Sequence, residues 1–244
     1  MCSTRSPSPN APATKRSAII VSHGQPSDPD PAEAALARQA PELPGWFVQT
    51  ATLAKRGSLE SALSRAGAAP VIYPMFMTDG WFVRSALRDR LRDVKAPVVL
   101  PPLGVDPGLP DVALQALAAE LDRQGWSAGE TTLLVTAHGS GRSRNSARDT
   151  QRFVERLGER APFAELRIGY VEEPPHLGEA AALCPRQSIC LPFFAADGGH
   201  VQEDIPQALQ ATGFAGPCMA PVGLLPGIGR LMARAIAGAP VAGE

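Results

Sequence analysis

The chain has 244 residues, of which 44% are hydrophobic and 19% charged, and its formal net charge is −1. This composition is that of an ordinary globular protein, long enough for one large domain or two smaller ones. The near-neutral charge provides no basic field for nucleic acid or anionic lipid, and no apolar run approaches the roughly 20 residues of a membrane span. We therefore expect neither a nucleic-acid partner nor a membrane partner.

Residues 1–16 are rich in Ser, Pro, Thr and Ala and lack the apolar core of a secretory signal. They predict a disordered tail, and the lack of a signal predicts a cytoplasmic protein. In that compartment cysteines are normally reduced. We accordingly expect free thiols rather than disulfides or zinc ligands at all four cysteines: Cys2, Cys184, Cys190 and Cys218.

Short apolar runs alternate with longer amphipathic runs along the rest of the chain. Most of the short runs lack polar alternation, which is typical of strands covered on both faces. The predicted strands are 18–21, 46–52, 70–73, 98–100, 132–136, 166–171, 188–191 and 218–220. The predicted helices are 31–40, 59–66, 83–94, 111–124, 144–157, 177–183, 201–212 and 225–237. This alternation predicts an α/β fold with mostly parallel sheets flanked by helices.

The sequence also repeats itself, with an offset that drifts only from 115 to 119 residues. The matching pairs are 19–24 with 134–139, 74–83 with 192–201, and 102–107 with 221–226. The repeat predicts two similar α/β lobes, an N-terminal one at 17–126 and a C-terminal one at 127–244. A cleft between two such lobes is the natural place for a ligand.

Three side chains of the second repeat are candidates for chemistry. His138, Glu172 and His200 each lie at or just after the end of a different predicted strand, where open α/β sheets place their ligands. An imidazole–carboxylate–imidazole set suits transient binding of a divalent first-row metal, and these groups also accept protons near neutral pH.

The first repeat keeps only part of this set. It retains His23 opposite His138, but the alignment places Ala54 opposite Glu172 and Phe82 opposite His200. The sequence therefore predicts a site in the second repeat alone, with the first repeat as scaffold and cleft wall. For Met77, Trp81 and Phe82 we favour ordinary core packing over an apolar face presented to a ligand.

A loop of small residues follows His138 and opens a helix, as anion-binding loops do. Within it, Ser140, Arg142 and Arg144 are candidates for holding a carboxylate or phosphate. We interpret Glu173 and His176 as solvated loop residues. Glu203 and Asp204 could orient His200 or simply favour the start of a helix, and we prefer the second interpretation.

Taken in order, these motifs resemble the sirohydrochlorin chelatases, the class II chelatases that insert cobalt or iron into a precorrin-derived tetrapyrrole. The resemblance spans residues 17 to 240. It rests on an apolar strand before His138-Gly139-Ser140, on Gly169-Tyr170-Val171-Glu172, and on Pro192-Phe193-Phe194 leading to Gly198-Gly199-His200-Val201 and Glu203-Asp204-Ile205-Pro206.

The resemblance implies a two-lobed chelatase fold that holds the macrocycle between its lobes and needs no organic cofactor. It implies insertion of a divalent metal, cobalt first and iron next, into sirohydrochlorin or a relative in cobalamin or siroheme biosynthesis. His138, Glu172 and His200 would hold the metal and take up pyrrole protons. We expect Ser140, Arg142, Arg144 and Phe82 to contact the tetrapyrrole, and His23 is a candidate peripheral metal residue whose contribution the sequence leaves open.

Two other functions stay open at this point. One is a non-catalytic protein that carries a metal or a metallated tetrapyrrole. The other is a hydrolase with His138 as its base, which is disfavoured because no nucleophilic serine elbow is evident.

Overall fold

The computed structural model describes residues 15–26, 29–140 and 145–240. The predicted tail, residues 1–16, lies outside the described residues except at its end. There the prediction is wrong by one residue, because Arg16 already begins the first strand. In the described part of the chain, no helix combines the length and the apolar character needed to cross a membrane.

The first lobe is built on a four-stranded parallel sheet in the order β2-β1-β3-β4. Its strands are β1 (Arg16–Ser22), β2 (Trp46–Thr52), β3 (Val71–Met75) and β4 (Val98–Val99). Its helices are α1 (Pro29–Gln39), α2 (Ser58–Ala66), α3 (Leu87–Arg90) and α4 (Leu109–Gln124). A π-helical turn, Phe82–Ala86, leads directly into α3.

The second lobe repeats this plan with a three-stranded parallel sheet in the order β6-β5-β7. Its strands are β5 (Thr132–Ala137), β6 (Glu165–Tyr170) and β7 (Ser188–Pro192). Its helices are α5 (Asn145–Gly158), α6 (Leu177–Ala182), α7 (Ile205–Ala211) and α8 (Ile228–Ala237). A second π-helical turn, His200–Asp204, leads into α7. The prediction of two similar parallel α/β lobes is confirmed.

The predicted strand at 218–220 is wrong in extent. Only Cys218 pairs, as a single parallel bridge with Cys190. The Cys190 N–H donates to the Pro217 carbonyl, and the Met219 N–H donates to the Cys190 carbonyl, each at 2.9 Å. Because Pro217 and Pro221 bracket the segment and have no N–H, the ladder cannot extend in either direction.

The two lobes share one hydrophobic core. Its largest cluster takes Tyr73 and Leu117 from the first lobe together with Phe193 and Met232 from the second. Helix α4 packs against α5, while α8 crosses over to pack against β3 of the first lobe. At the end of this crossing, the Arg16 guanidinium donates to the carbonyls of Ala239 and Pro240 at 3.3 and 3.0 Å.

The three described cysteines are free thiols. Cys190 is buried and Cys218 exposed. A hydrogen bond from the Cys190 thiol to the Cys218 sulfur lowers the pKa of Cys218 and, together with burial, raises that of Cys190. The pKa of the half-buried Cys184 is raised by burial.

These shifts predict selective labelling. Because a lowered pKa increases the thiolate fraction, iodoacetamide at about pH 8 should alkylate Cys218 well before Cys184 or Cys190. Peptide mass spectrometry over a time course measures the order, and Cys218→Ser serves as the control. Equal labelling of Cys190 and Cys218 would contradict the prediction.

Candidate active site

Two strands of the second lobe bring His138 and Glu172 side by side. His138 directly follows β5, and Glu172 lies just beyond the end of β6. The Val171 N–H donates to the Ala137 carbonyl at 3.0 Å, and the Glu172 N–H donates to the His138 carbonyl at 2.9 Å. These two hydrogen bonds continue the parallel pairing beyond the ends of the strands. The backbone therefore places His138 and Glu172 next to each other.

The His138 ring is held by its own backbone. Its Nδ1 lies 2.9 Å from the Gly139 carbonyl oxygen. A carbonyl only accepts, so Nδ1 carries the proton and Nε2 keeps a free lone pair. Gly139 has φ +72°, and a Cβ there would lie 2.9 Å from the Glu173 side chain and 3.0 Å from that of Tyr170. Glycine is required at this position for both reasons.

His200 meets His138 from the third strand of the lobe. It begins the π-helical turn after β7, and its ring centroid lies 4.5 Å from that of His138 at an interplanar angle of 90°. Its Nδ1 lies 2.5 Å from Oδ2 of Asp204. This carboxylate holds Nδ1, so Nε2 is the nitrogen left for a ligand.

The preference for Asp204 as a simple helix-starting residue is therefore wrong. Asp204 flanks α7 but makes no side-chain capping bond to it, and its carboxylate turns back to His200 instead. Sequence alone gave one clue, the spacing of four residues between the two. The spacing makes the two residues neighbours on a helix but does not show which way the carboxylate turns.

Glu172 places negative charge beside the histidines. Its Oε2 lies 3.7 Å from His138 Nδ1, beyond hydrogen-bonding distance. A carboxylate at that separation attracts cations to the histidine pair. Among the residues that the structure describes, no three His, Cys, Asp or Glu side chains are arranged to hold a metal ion by themselves.

The first lobe repeats the geometry without the chemistry. His23 Nδ1 lies 2.9 Å from the Gly24 carbonyl, and the Ala54 N–H donates to the His23 carbonyl at 2.8 Å. The Phe82 ring lies 4.5 Å from the His23 ring at 80°, almost the same arrangement as that of His200 on His138. Ala54 and Phe82 thus occupy the places of Glu172 and His200.

Two cavities lie where the lobes meet. One of about 350 Å³ is lined by His138, Ser140 and Phe82, and one of about 800 Å³ is lined by His23 and Asp197. Met77 lines both, so they adjoin in one cleft. The larger cavity lies beside the lobe that lacks the acid and the second histidine. Of the three predicted site residues, His138 lines the smaller cavity, and neither Glu172 nor His200 is among the residues that line either one.

The aromatic residues of the first lobe line this cleft. Trp81 is 67% exposed and Phe82 39% exposed, so the prediction that they pack in the core is wrong. They follow β3 at the rim of the cleft, where the opposite wall belongs to the other lobe. Met77 is half-buried between the two cavities.

The loop after His138 is partly described. Ser140 lines the smaller cavity, and its N–H donates to Glu173 Oε1 at 2.8 Å. Glu173 was expected to be a solvated loop residue, but it fastens this loop instead. Together with burial, which is the larger cause, its charge raises the pKa of Tyr170. The candidates Arg142 and Arg144 lie outside the described residues.

Asp149, which was not predicted from the sequence, joins the two lobes. Its side chain is 1% exposed, and its Oδ2 accepts a hydrogen bond from the Asp79 N–H of the first lobe at 3.0 Å. Its Oδ1 accepts two bonds from Arg148, each at 3.1 Å. The available signal was an acidic residue on the apolar face of α5, next to Thr150 and near Phe153.

The two-lobed architecture is that of the chelatases, and comparisons with known proteins identify the family. The CbiX family model matches residues 132–236. The solved structure of CbiX, described as the terminal enzyme for biosynthesis of siroheme in denitrifying bacteria, is 42% identical with a TM-score of 0.84, covering 93% of this chain and 100% of that one. The chain belongs to the CbiX family, as its motifs predicted.

More distant relatives agree in fold. SirB from Bacillus subtilis, solved with Fe3+, has a TM-score of 0.70 at 14% identity, covering 91% of this chain and 94% of that one, a likeness of fold alone. A curated protein of Halobacterium salinarum, named "Probable sirohydrochlorin cobaltochelatase", is 23% identical over 162 residues, or 56% of this chain. That match spans only about half, 55%, of the relative's own length.

Proposed function

We propose that this protein inserts a divalent metal ion into sirohydrochlorin or a close relative, with cobalt as the first candidate metal and iron as the second. The observation that carries the proposal is the pairing of His138 with His200, whose Nδ1 atoms are both engaged and whose Nε2 atoms are both left for a metal. The names of the relatives support the same chemistry: one is the terminal enzyme of siroheme biosynthesis, the other a cobaltochelatase.

The reaction needs weak ligands and nearby bases. Two pyrrole N–H protons leave the macrocycle as the metal binds its four ring nitrogens, and no electrons change hands. The metal is a substrate that must leave the protein, so two imidazoles and a carboxylate without a closed coordination sphere are suitable ligands. Glu172 can accept a departing proton, and each imidazole can accept one at Nε2 once the metal has left that nitrogen; both then release the protons to water.

The cleft supplies the place for the macrocycle. The apolar face of the macrocycle would rest on Phe82 and Trp81, with Ser140 at one edge of the ring. The larger cavity, on the side of His23, would receive the rest of the ring. Arg142 and Arg144 remain proposed partners of its carboxylates. In this proposal residues 127–244 carry out the chemistry, residues 17–126 form the opposite wall, and His23 is a peripheral metal residue.

An insertion assay tests the proposal. Metal-free sirohydrochlorin is mixed anaerobically with Co2+ or Fe2+, and absorbance follows formation of the metallated ring. We expect a saturable rate well above the metal-only blank, and the ratio of kcat/KM for the two metals measures preference. The double variant His138→Ala/His200→Ala, checked for folding by circular dichroism, should return to the blank. Binding of the metallated product without turnover would instead indicate a carrier protein.

A further inference from the structure

Among the described residues, the side chain of Asp204 makes its polar contact with His200. Its Oδ2 lies 2.5 Å from His200 Nδ1, and it forms no capping bond at the start of α7. The carboxylate is only half-buried, so the fold does not need it as a core group. Asp204 has no capping bond and no arginine partner within the described residues, so its contact with His200 is the one that accounts for it.

The backbone supports the contact. The Ile205 N–H donates to the His200 carbonyl, the five-residue step of a π-helix. In an α-helix, with about 3.6 residues per turn, a residue four positions on overshoots the line through the first. In the wider π turn the same residue falls short of that line instead. In both geometries Asp204 lies about one turn from His200, and the 2.5 Å contact shows that their side chains meet.

The first lobe provides an internal control for this arrangement. It contains the same π turn, closed by the Leu87 N–H donating to the Phe82 carbonyl. Phe82 stands in the place of His200, and Ala86 stands in the place of Asp204. The first lobe therefore keeps the π turn although Phe82 replaces the histidine, and it lacks the aspartate as well as that histidine. Asp204 belongs with the histidine and not with the turn.

We propose that Asp204 is a positioning residue that fixes the ring of His200 with Nε2 directed toward the incoming metal. This role rests on the proposed metal insertion. By accepting the Nδ1 proton, the carboxylate selects the tautomer whose Nε2 can coordinate, and it strengthens that nitrogen as a donor. Partners of this kind typically change metal affinity or activity by about 10–100-fold when removed.

The test compares Asp204→Ala, Asp204→Asn and Glu203→Gln. Glu203 is the adjacent, exposed acid, and its replacement removes the same charge without touching the His200 contact. Titration with Co2+, read by its visible absorption, gives the metal Kd, and the insertion assay gives kcat and the KM for the tetrapyrrole.

For Asp204→Ala we expect a Kd for Co2+ raised about 10–100-fold and a lower kcat, with the KM for the tetrapyrrole unchanged. Asp204→Asn keeps an accepting oxygen and should recover part of the affinity, and Glu203→Gln should match the wild type. Wild-type behaviour of Asp204→Ala while His200→Ala is impaired would overturn this role alone. Normal insertion by His200→Ala would remove the role of both residues, whereas a wild-type rate no higher than the metal-only blank would mean that the proposed function itself fails.

Discussion

Replacing His138 with alanine should lower kcat/KM for metal insertion by about 100-fold or more. The change removes one of two neighbouring Nε2 donors and one proton acceptor, and positioned acid–base groups alone contribute about 10²–10⁴-fold. Glu172→Ala and His200→Ala should also reduce insertion strongly. The insertion assay measures all three variants, with the free energy of unfolding as a check on folding.

His23→Ala is the matched control for His138→Ala. His23 occupies the same strand-end position, with the same Nδ1 bond to a following glycine, but its ring faces Phe82. We expect its loss to change kcat/KM by only a small factor. Damage from His23→Ala equal to or greater than that from His138→Ala would place the site in the first lobe. Anomalous scattering from cobalt-soaked crystals would show directly which histidines bind.

Replacing Asp149 with alanine should lower the free energy of unfolding by about 2–3 kcal/mol. The buried carboxylate receives charge-assisted bonds from Arg148 and a backbone bond from Asp79, and hydrogen bonds to a charged group contribute about 1.5–3 kcal/mol. The Asp79 segment also leads into Trp81 and Phe82 at the cleft. The KM for the tetrapyrrole should therefore rise as well.

Urea denaturation measures this loss, and Glu155→Ala is its control. Glu155 lies on the same helix, α5, with its side chain exposed, so its removal should change stability by no more than about 0.5 kcal/mol. Asp149→Asn, which keeps the accepting oxygen, should fall between the two. If Asp149→Ala were as stable as Glu155→Ala, the contact would not be holding the lobes.

The sequence predicted most of the fold because buried parallel strands are short apolar runs, and the repeat supplied each element twice. The repeat also placed Ala54 opposite Glu172 and Phe82 opposite His200, and the backbone bonds and ring geometries of the structure match that pairing. The features that the sequence did not predict depend on how helices and strands pack against one another. The exposure of Trp81 follows from the cleft, which no local pattern encodes.

The missed contacts have a common cause. The bond between Asp204 and His200 forms within a π turn, and nothing in the residue types of that segment distinguishes it from an α-helix. The bond from Ser140 to Glu173 joins loops that follow different strands. In both cases the partners are set by tertiary placement, whereas sequence patterns report on local periodicity.

The packing of α8 against β3 constrains the order in which the two lobes can fold during synthesis. Helix α8 packs against β3 of the first lobe, and it follows the whole of the first repeat in the chain. The N-terminal repeat therefore cannot finish folding before the C-terminal repeat has been made. Because the two repeats are joined in one chain, the second repeat always supplies this packing partner to the first at a one-to-one ratio.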